Sequence, residues 1–166
     1  MEKAMVVFFT LVACAGDIQR GRISNGLILW GLTAGLCGQM AEYGAMGLIF
    51  FFEGALLPIL LLGPLFYFRM LGAGDIKLLC TLGGYAGPQV SLWYVVASIF
   101  AGGILAGILI IRRRNFRSRM GVFWSYWKRL ATERTWRAYD KGEKQGGTFH
   151  FSIPILISVL LWAGGM

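Results

Sequence analysis

Six apolar stretches, each cut off from the next by charges, glycines or proline, occupy most of this chain: residues 4–19, 27–40, 46–68, 76–86, 90–111 and 151–164. A bilayer crossing takes about 20 residues, so a chain of 166 residues patterned in this way holds about six membrane helices and no separate soluble domain. The composition agrees, with 57% hydrophobic and 14% charged residues where a soluble domain carries about 25% charge. Intrinsic disorder needs the opposite balance. Cys14, Cys37 and Cys80 are odd in number and lie in apolar runs, which excludes a disulfide framework. The first run reads as a span rather than a cleaved signal, because Lys3 is balanced by Glu2 and further spans follow. The expected fold is an all-α polytopic membrane helix bundle, a single domain over residues 1–166. Any chemistry must come from residues inside or at the rim of the bilayer.

Positive charge sets the expected orientation. Arg20 and Arg22 follow the first run, Arg69 and Lys77 flank the loop after the third, and eleven Lys and Arg lie between the fifth and sixth. The alternate loops, residues 41–45 and 87–89, carry none. The positive-inside rule then puts both termini outside and the basic loops in the cytoplasm of a multi-pass protein of a prokaryotic plasma membrane. Residues 76–86 are short for a crossing. Without that crossing, however, the eleven-charge segment would face outward, so a fourth span extended by the preceding glycine-rich stretch is expected. In the basic cytoplasmic segment, about 112–148, Phe123, Tyr126, Trp127 and Leu130 recur at helical spacing among Lys128, Arg129, Arg134 and Arg137. That pattern suits an amphipathic helix on anionic lipids, preferred here over a nucleic-acid patch.

Eight acidic residues are present, and five of them fall in loops or tails. Glu53 lies inside the third run, where a bundle-facing hydrogen bond would account for it. Asp17 ends the first run within Ala15-Gly16-Asp17-Ile18, and Asp75 starts the fourth within Ala73-Gly74-Asp75-Ile76. The topology puts both at one depth on the cytoplasmic side, and small residues before each allow close helix approach. A carboxylate in this zone costs roughly 1–3 kcal/mol. Two facing carboxylates share one proton; one member then deprotonates a water while the other protonates a scissile carbonyl oxygen. An unwound Gly72-Ala73-Gly74 would present Asp75 at a helix N-terminus beside a wet cavity. The plainer reading has Asp75 as N-cap of the fourth span and Asp17 as an interfacial anion near Arg20 or Arg22. A third keeps both as a proton or cation site in a small proton-coupled transporter or assembly subunit. Further polar residues strung across spans two, five and six would mark that third case, and those spans have almost none.

Gly72-Ala73-Gly74-Asp75 followed by Ile76-Lys77-Leu78 resembles the G-x-G-D motif of membrane aspartyl proteases. Asp17 followed by Ile23-Ser24-Asn25 resembles the D-x5-I-P-N element of type IV prepilin peptidases, with Ser24 in place of proline. Phe149 to Leu156, with Ile153-Pro154, is similar to their last-helix region. The resemblance implies a membrane endopeptidase that cuts the short basic leader from prepilins or pseudopilins. It implies Asp17 and Asp75 as the catalytic dyad, Gly72 and Gly74 as loop-shaping residues, Lys77 as a motif residue, and Asn25 as cap of the second span. The members that also N-methylate the new terminus carry an N-terminal segment with C-x-x-C pairs. This sequence has none, so cleavage without methylation, no zinc and no cofactor are expected. His150, the single histidine, reads as interfacial.

Overall fold

The computed structural model describes residues 2–67, 71–112 and 151–165. These form six helices: α1 Glu2–Arg20, α2 Asn25–Tyr43, α3 Ala45–Tyr67, α4 Ala73–Ala86, α5 Pro88–Arg112 and α6 Ser152–Ala163. Each coincides with one apolar run, and no strand occurs among the described residues. The expected amphipathic helix near residues 123–130, the rest of the basic segment after Arg112, and His150 lie outside the described residues.

The chain divides into two units, Met1–Gly102 with His150–Met166, and Gly103–Phe149. The described part of the second is the last stretch of α5. The first is built around α4. That helix packs broadly on α3 and α2 and touches α1 and α6, while α1 lies along α6. Leu78, Leu79 and Leu82 of α4 are fully enclosed, joined by Leu62, Tyr94, Ile155 and Val159 from its neighbours. The two ends of the α1–α6 pair fix its sense. Near the start of α1, Lys3 lies 5.2 Å from the centre of the Trp162 ring, late in α6. Near its close, Asp17 meets Ser152, the first residue of α6. The two helices therefore run antiparallel.

Glycine permits the close packing of α4. A Cβ on Gly54 of α3 would strike the carbonyl of Gly83, and one on Gly83 would strike the carbonyl of Gly54. On the α2 side, Gly31 faces Thr81 and Phe9, and a Cβ on Gly35 would come within 3.1 Å of the Tyr85 Cα. Backbone lies against backbone, the usual means of holding helices together in lipid. Pro58 removes the N–H that Gly54 C=O would receive four residues on; Ser91 Oγ of α5 donates to that carbonyl instead, at 2.7 Å. At the far end of α4, Gln39 Nε2 donates to the Tyr85 carbonyl at 2.8 Å, one of the four that a helix C-terminus leaves open. Gly87, at φ 82°, closes α4.

The helices α3 and α5 contain stretches of 23 and 22 residues long and apolar enough to cross a membrane. Only 28% and 22% of the residues in their apolar windows are buried within the molecule, so they are not core helices of a soluble protein. Leu60 and Phe100 are exposed by 77% and 68%, and Trp30 of α2 by 78%. Apolar surface on this scale is foreign to a soluble monomer and points to a membrane location. The hydroxyls of Thr10, Ser98 and Ser158 bond back to carbonyls of their own helices, as expected where water is scarce. The other two long helices, α1 and α2, have 19 residues each. The fourth has 14, about 21 Å at 1.5 Å per residue against a hydrocarbon core of about 30 Å.

Glu53 departs from the sequence expectation. It is exposed on α3 rather than turned into the bundle, because the helix directs Phe51, Gly54 and Pro58 inward and leaves position 53 on the opposite face.

Gly54→Ala is expected to lower stability by about 1–3 kcal/mol, the usual cost of forcing an atom into a filled interface. Gly63→Ala, where a Cβ meets nothing within 4 Å, is expected to be neutral or slightly stabilising. Thermal melting of the two variants in detergent checks this; equal melting points would contradict the glycine interface.

Candidate active site

Four helix termini meet at one end of the first unit. Asp17 lies one turn before the close of α1. Gly21, at φ 62°, donates its N–H to the Asp17 carbonyl at 2.7 Å, a left-handed glycine stop of the usual kind. The chain then crosses to α2 through Ile23, whose side chain lies against Gly74: a Cβ on that glycine would sit 3.6 Å from Ile23 Cδ1. Lys77 Nζ donates to Asn25 Oδ1 at 3.1 Å, linking the first turns of α4 and α2. The α1–α2 connection is thus laid across the start of α4, where Asp75 is the third helical residue. Both carboxylates belong to this end, and both residues are half-buried.

Two details of the sequence reading need correction. Gly72 is the N-cap of α4, extended at φ −78° and ψ 146°, while Ala73 and Gly74 are already helical. The glycine-rich stretch is therefore unwound only as far as Gly72, and Asp75 sits within the first turn instead of capping it. Its carboxylate folds back over Gly72, since a Cβ there would lie 2.9 Å from Asp75 Oδ2. Similarly, Ser24 occupies the N-cap of α2, at ψ 127° and without a side-chain cap bond. Asn25 is the first helical residue, and its amide oxygen goes to Lys77.

Asp17 is held by a residue that the sequence analysis did not single out. Ser152 Oγ donates to Asp17 Oδ2 at 2.7 Å, and Ser152 is 0% exposed. Among the described residues neither Arg20 nor Arg22 pairs directly with Asp17. The signal available was modest: a hydroxyl two residues before Pro154, at the start of the last apolar run. Pro154 falls in the first turn of α6, where a missing N–H costs no helix bond, so this helix begins at a defined residue and Ser152 is fixed in place.

Both carboxylates lie at helix N-termini, Asp75 within the first turn of α4 and Asp17 against the first residue of α6. Open N–H groups and the macrodipole favour an anion at such ends, which offsets part of the cost of half-burying a carboxylate. A cavity of about 80 Å³ between α1, α2 and α4, lined by Phe9, Gly31, Thr81 and Tyr85 among others, contains no carboxylate. It lies about 9–15 Å along α4 from Asp75 at 1.5 Å per residue, away from the carboxylate end. No cluster of His, Cys, Asp and Glu suited to a metal occurs among the described residues. Cys80, half-buried one turn beyond Asp75, is a free thiol.

Residues 4–107 match the family model of the type IV leader peptidase family. The chain belongs to that family. The match covers well over half the sequence and includes Asp17, Gly72, Gly74, Asp75 and Lys77. Comparison with curated proteins and with solved structures gives no match. Membership of that family makes the chain a leader-peptidase-like protease, and its long, outward-facing apolar helices point to a membrane location.

The two motif glycines are expected to differ. Gly72→Ala pushes the Asp75 carboxylate aside and, with Asp75 acting in the reaction, should lower peptidase activity about tenfold or more. Gly74→Ala meets Ile23 at ordinary contact distance and should stay within about threefold of wild type on the same ground. Cleavage assays at matched expression decide; equal loss in both variants would contradict the assignment.

Proposed function

We propose that this protein is a membrane aspartyl endopeptidase that removes the short basic leader from type IV prepilin-like or pseudopilin substrates at the cytoplasmic face. The observation that carries this reading is the meeting of the α1 terminus and the α4 start, each with its aspartate, in a chain of the leader peptidase family. The positive-inside pattern supports six spans, both termini outside, in the plasma membrane of a prokaryote. It gives the carboxylate end the cytoplasmic side, where a leader emerges from the bilayer. The short α4 suits this arrangement, because a helix that does not reach across leaves its first turn below the lipid surface and open to water on one side.

In the proposed reaction, Asp17 and Asp75 share one proton and hold one water between them. The ionised carboxylate takes a proton from the water as its oxygen attacks the scissile carbonyl carbon. The protonated carboxyl gives its proton to the carbonyl oxygen, forming a neutral tetrahedral diol. The carboxyl that now holds the proton gives it to the leaving nitrogen while the other carboxylate takes a proton from one diol hydroxyl; the C–N bond breaks, a C=O bond re-forms, and the pair again shares one proton. Lys77, exposed and bonded to Asn25, holds the α1–α2 connection against α4. The chemistry uses no metal or cofactor, and we propose cleavage without N-methylation. The basic segment after Arg112 binds anionic lipid headgroups.

The test is a reporter with a Lys/Arg-rich leader ending in glycine, followed by one apolar helix, co-expressed with the protein. Wild type is expected to release the leader, and mass spectrometry of the product should show a cut after the glycine with no added methyl group. Asp17→Asn and Asp75→Asn should each lower the rate by at least about a thousandfold while the protein still inserts. Near wild-type cleavage by either variant would contradict the dyad.

A further inference from the structure

We infer that Ser152 is a positioning residue for Asp17, holding one carboxylate oxygen so that the other faces the reacting water. The inference rests on the reading of Asp17 as half of the catalytic pair, and it adds a third group, from the last helix, to a site otherwise made by α1 and α4.

Several observations carry it. Ser152 is fully buried, and its hydroxyl donates to Oδ2 of Asp17 at 2.7 Å, a well-formed O–H···O hydrogen bond. Most other buried hydroxyls behave differently. Thr10, Ser98 and Ser158 turn back to carbonyls three or four residues earlier in their own helices, which contributes nothing between helices. Ser91 crosses between helices, but to a carbonyl left open by Pro58. Ser152 crosses to a carboxylate. As the first residue of α6 it has no earlier helical turn to bond to, so its hydroxyl is free to reach across to α1.

The support behind Ser152 is rigid. Pro154, Ile155, Ser158 and Val159 of α6 are all buried, and Ile155 N–H closes the first turn on the Phe151 carbonyl at 3.3 Å. Asp17, by contrast, sits one turn from the glycine that ends α1, where its own helix constrains it least. A bond from a fixed hydroxyl stops the carboxylate from rotating. It occupies Oδ2 and leaves Oδ1 to accept or deliver the catalytic proton. Because Ser152 is enclosed, it does not touch substrate, and its loss is expected to act on turnover rather than on binding. Among the described residues the charged groups at this end are Asp75 and Lys77 from α4, Arg20 from α1 and Arg22 from the α1–α2 connection; the described part of α6 contributes none, so its hydroxyl is the group through which this helix acts on Asp17.

The test uses the full-length protein in detergent micelles and the reporter with a Lys/Arg leader, terminal glycine and one apolar helix. Ser152→Ala is expected to lower kcat about 10- to 100-fold, the effect of losing one bond to a charged group. KM should stay within about twofold, since binding energy common to ground and transition states is untouched. Ser152→Thr, which keeps the hydroxyl, is expected to recover kcat to within about threefold on the same basis. Wild-type kcat in Ser152→Ala, a change confined to KM, or a threonine variant as slow as the alanine variant would overturn the inference. Should Ser152→Ala fail to fold, Ser152→Cys decides. Its weakly donating thiol is expected to give a folded and much slower enzyme, and wild-type turnover there would overturn the inference. Asp17→Asn and Asp75→Asn in the same assay separate the two readings. If they still cleave, the dyad falls and Ser152 with it. If they are inactive and Ser152→Ala is fully active, only the positioning role falls.

Discussion

The backbone contact between Gly54 and Gly83 is the constraint on which the rest of this structure depends. A helix of 14 residues cannot span a bilayer by its own length, so its depth and tilt are set by what grips it. Here α3 grips it through paired glycines, and α2 grips the opposite face through Gly31 and Gly35. Lipid gives no hydrophobic drive for helices to associate, so contact distance itself must provide the attraction. Glycine on both sides of α4 brings backbones close enough for dispersion and polar contacts to act. The bond from Ser91 to the Gly54 carbonyl then ties α5 to the same point, where Pro58 would otherwise leave an acceptor empty in an apolar setting. With α4 fixed, the position of Asp75 follows.

The carboxylate end is built by a different principle. Among the described residues no backbone contact there is as tight as Gly54 against Gly83, and side-chain contacts tie the termini together. Ile23 lies on Gly74, Lys77 reaches Asn25, and Ser152 reaches Asp17, so each of the four termini is tied to another through side chains. Such ties are individually worth about 1–3 kcal/mol when one partner is charged. A half built on paired glycines thus adjoins a half held by single side-chain contacts.

Much of this was legible in the sequence, for physical reasons. Apolar runs bounded by charges give helix positions directly, because burying an unpaired charge is prohibitive; all six runs became helices. The two aspartates stood out because acidic residues are few and five of the other six fall in loops or tails. The precise start of α4 was not legible: Gly72 and Gly74 look alike in sequence, and only the backbone shows that one is extended and the other helical. Glu53 was misplaced because the inward face of a helix apolar all round cannot be told from its periodicity. Ser152 was missed because a lone serine carries no signal until the fold brings Asp17, 135 residues away in sequence, against it.

The most direct measurement of the central claim, that both aspartates occupy one end of the bundle, is an engineered cross-link beside them. A Cβ on Gly74 would lie 3.7 Å from the Ile23 Cβ, within the range that a disulfide requires. With Cys14, Cys37 and Cys80 replaced, Ile23→Cys combined with Gly74→Cys is expected to form a disulfide readily in native membranes under mild oxidation. The same Ile23→Cys paired with Gly63→Cys should not. Failure of the first pair to close, or equal closure of both, would contradict the account.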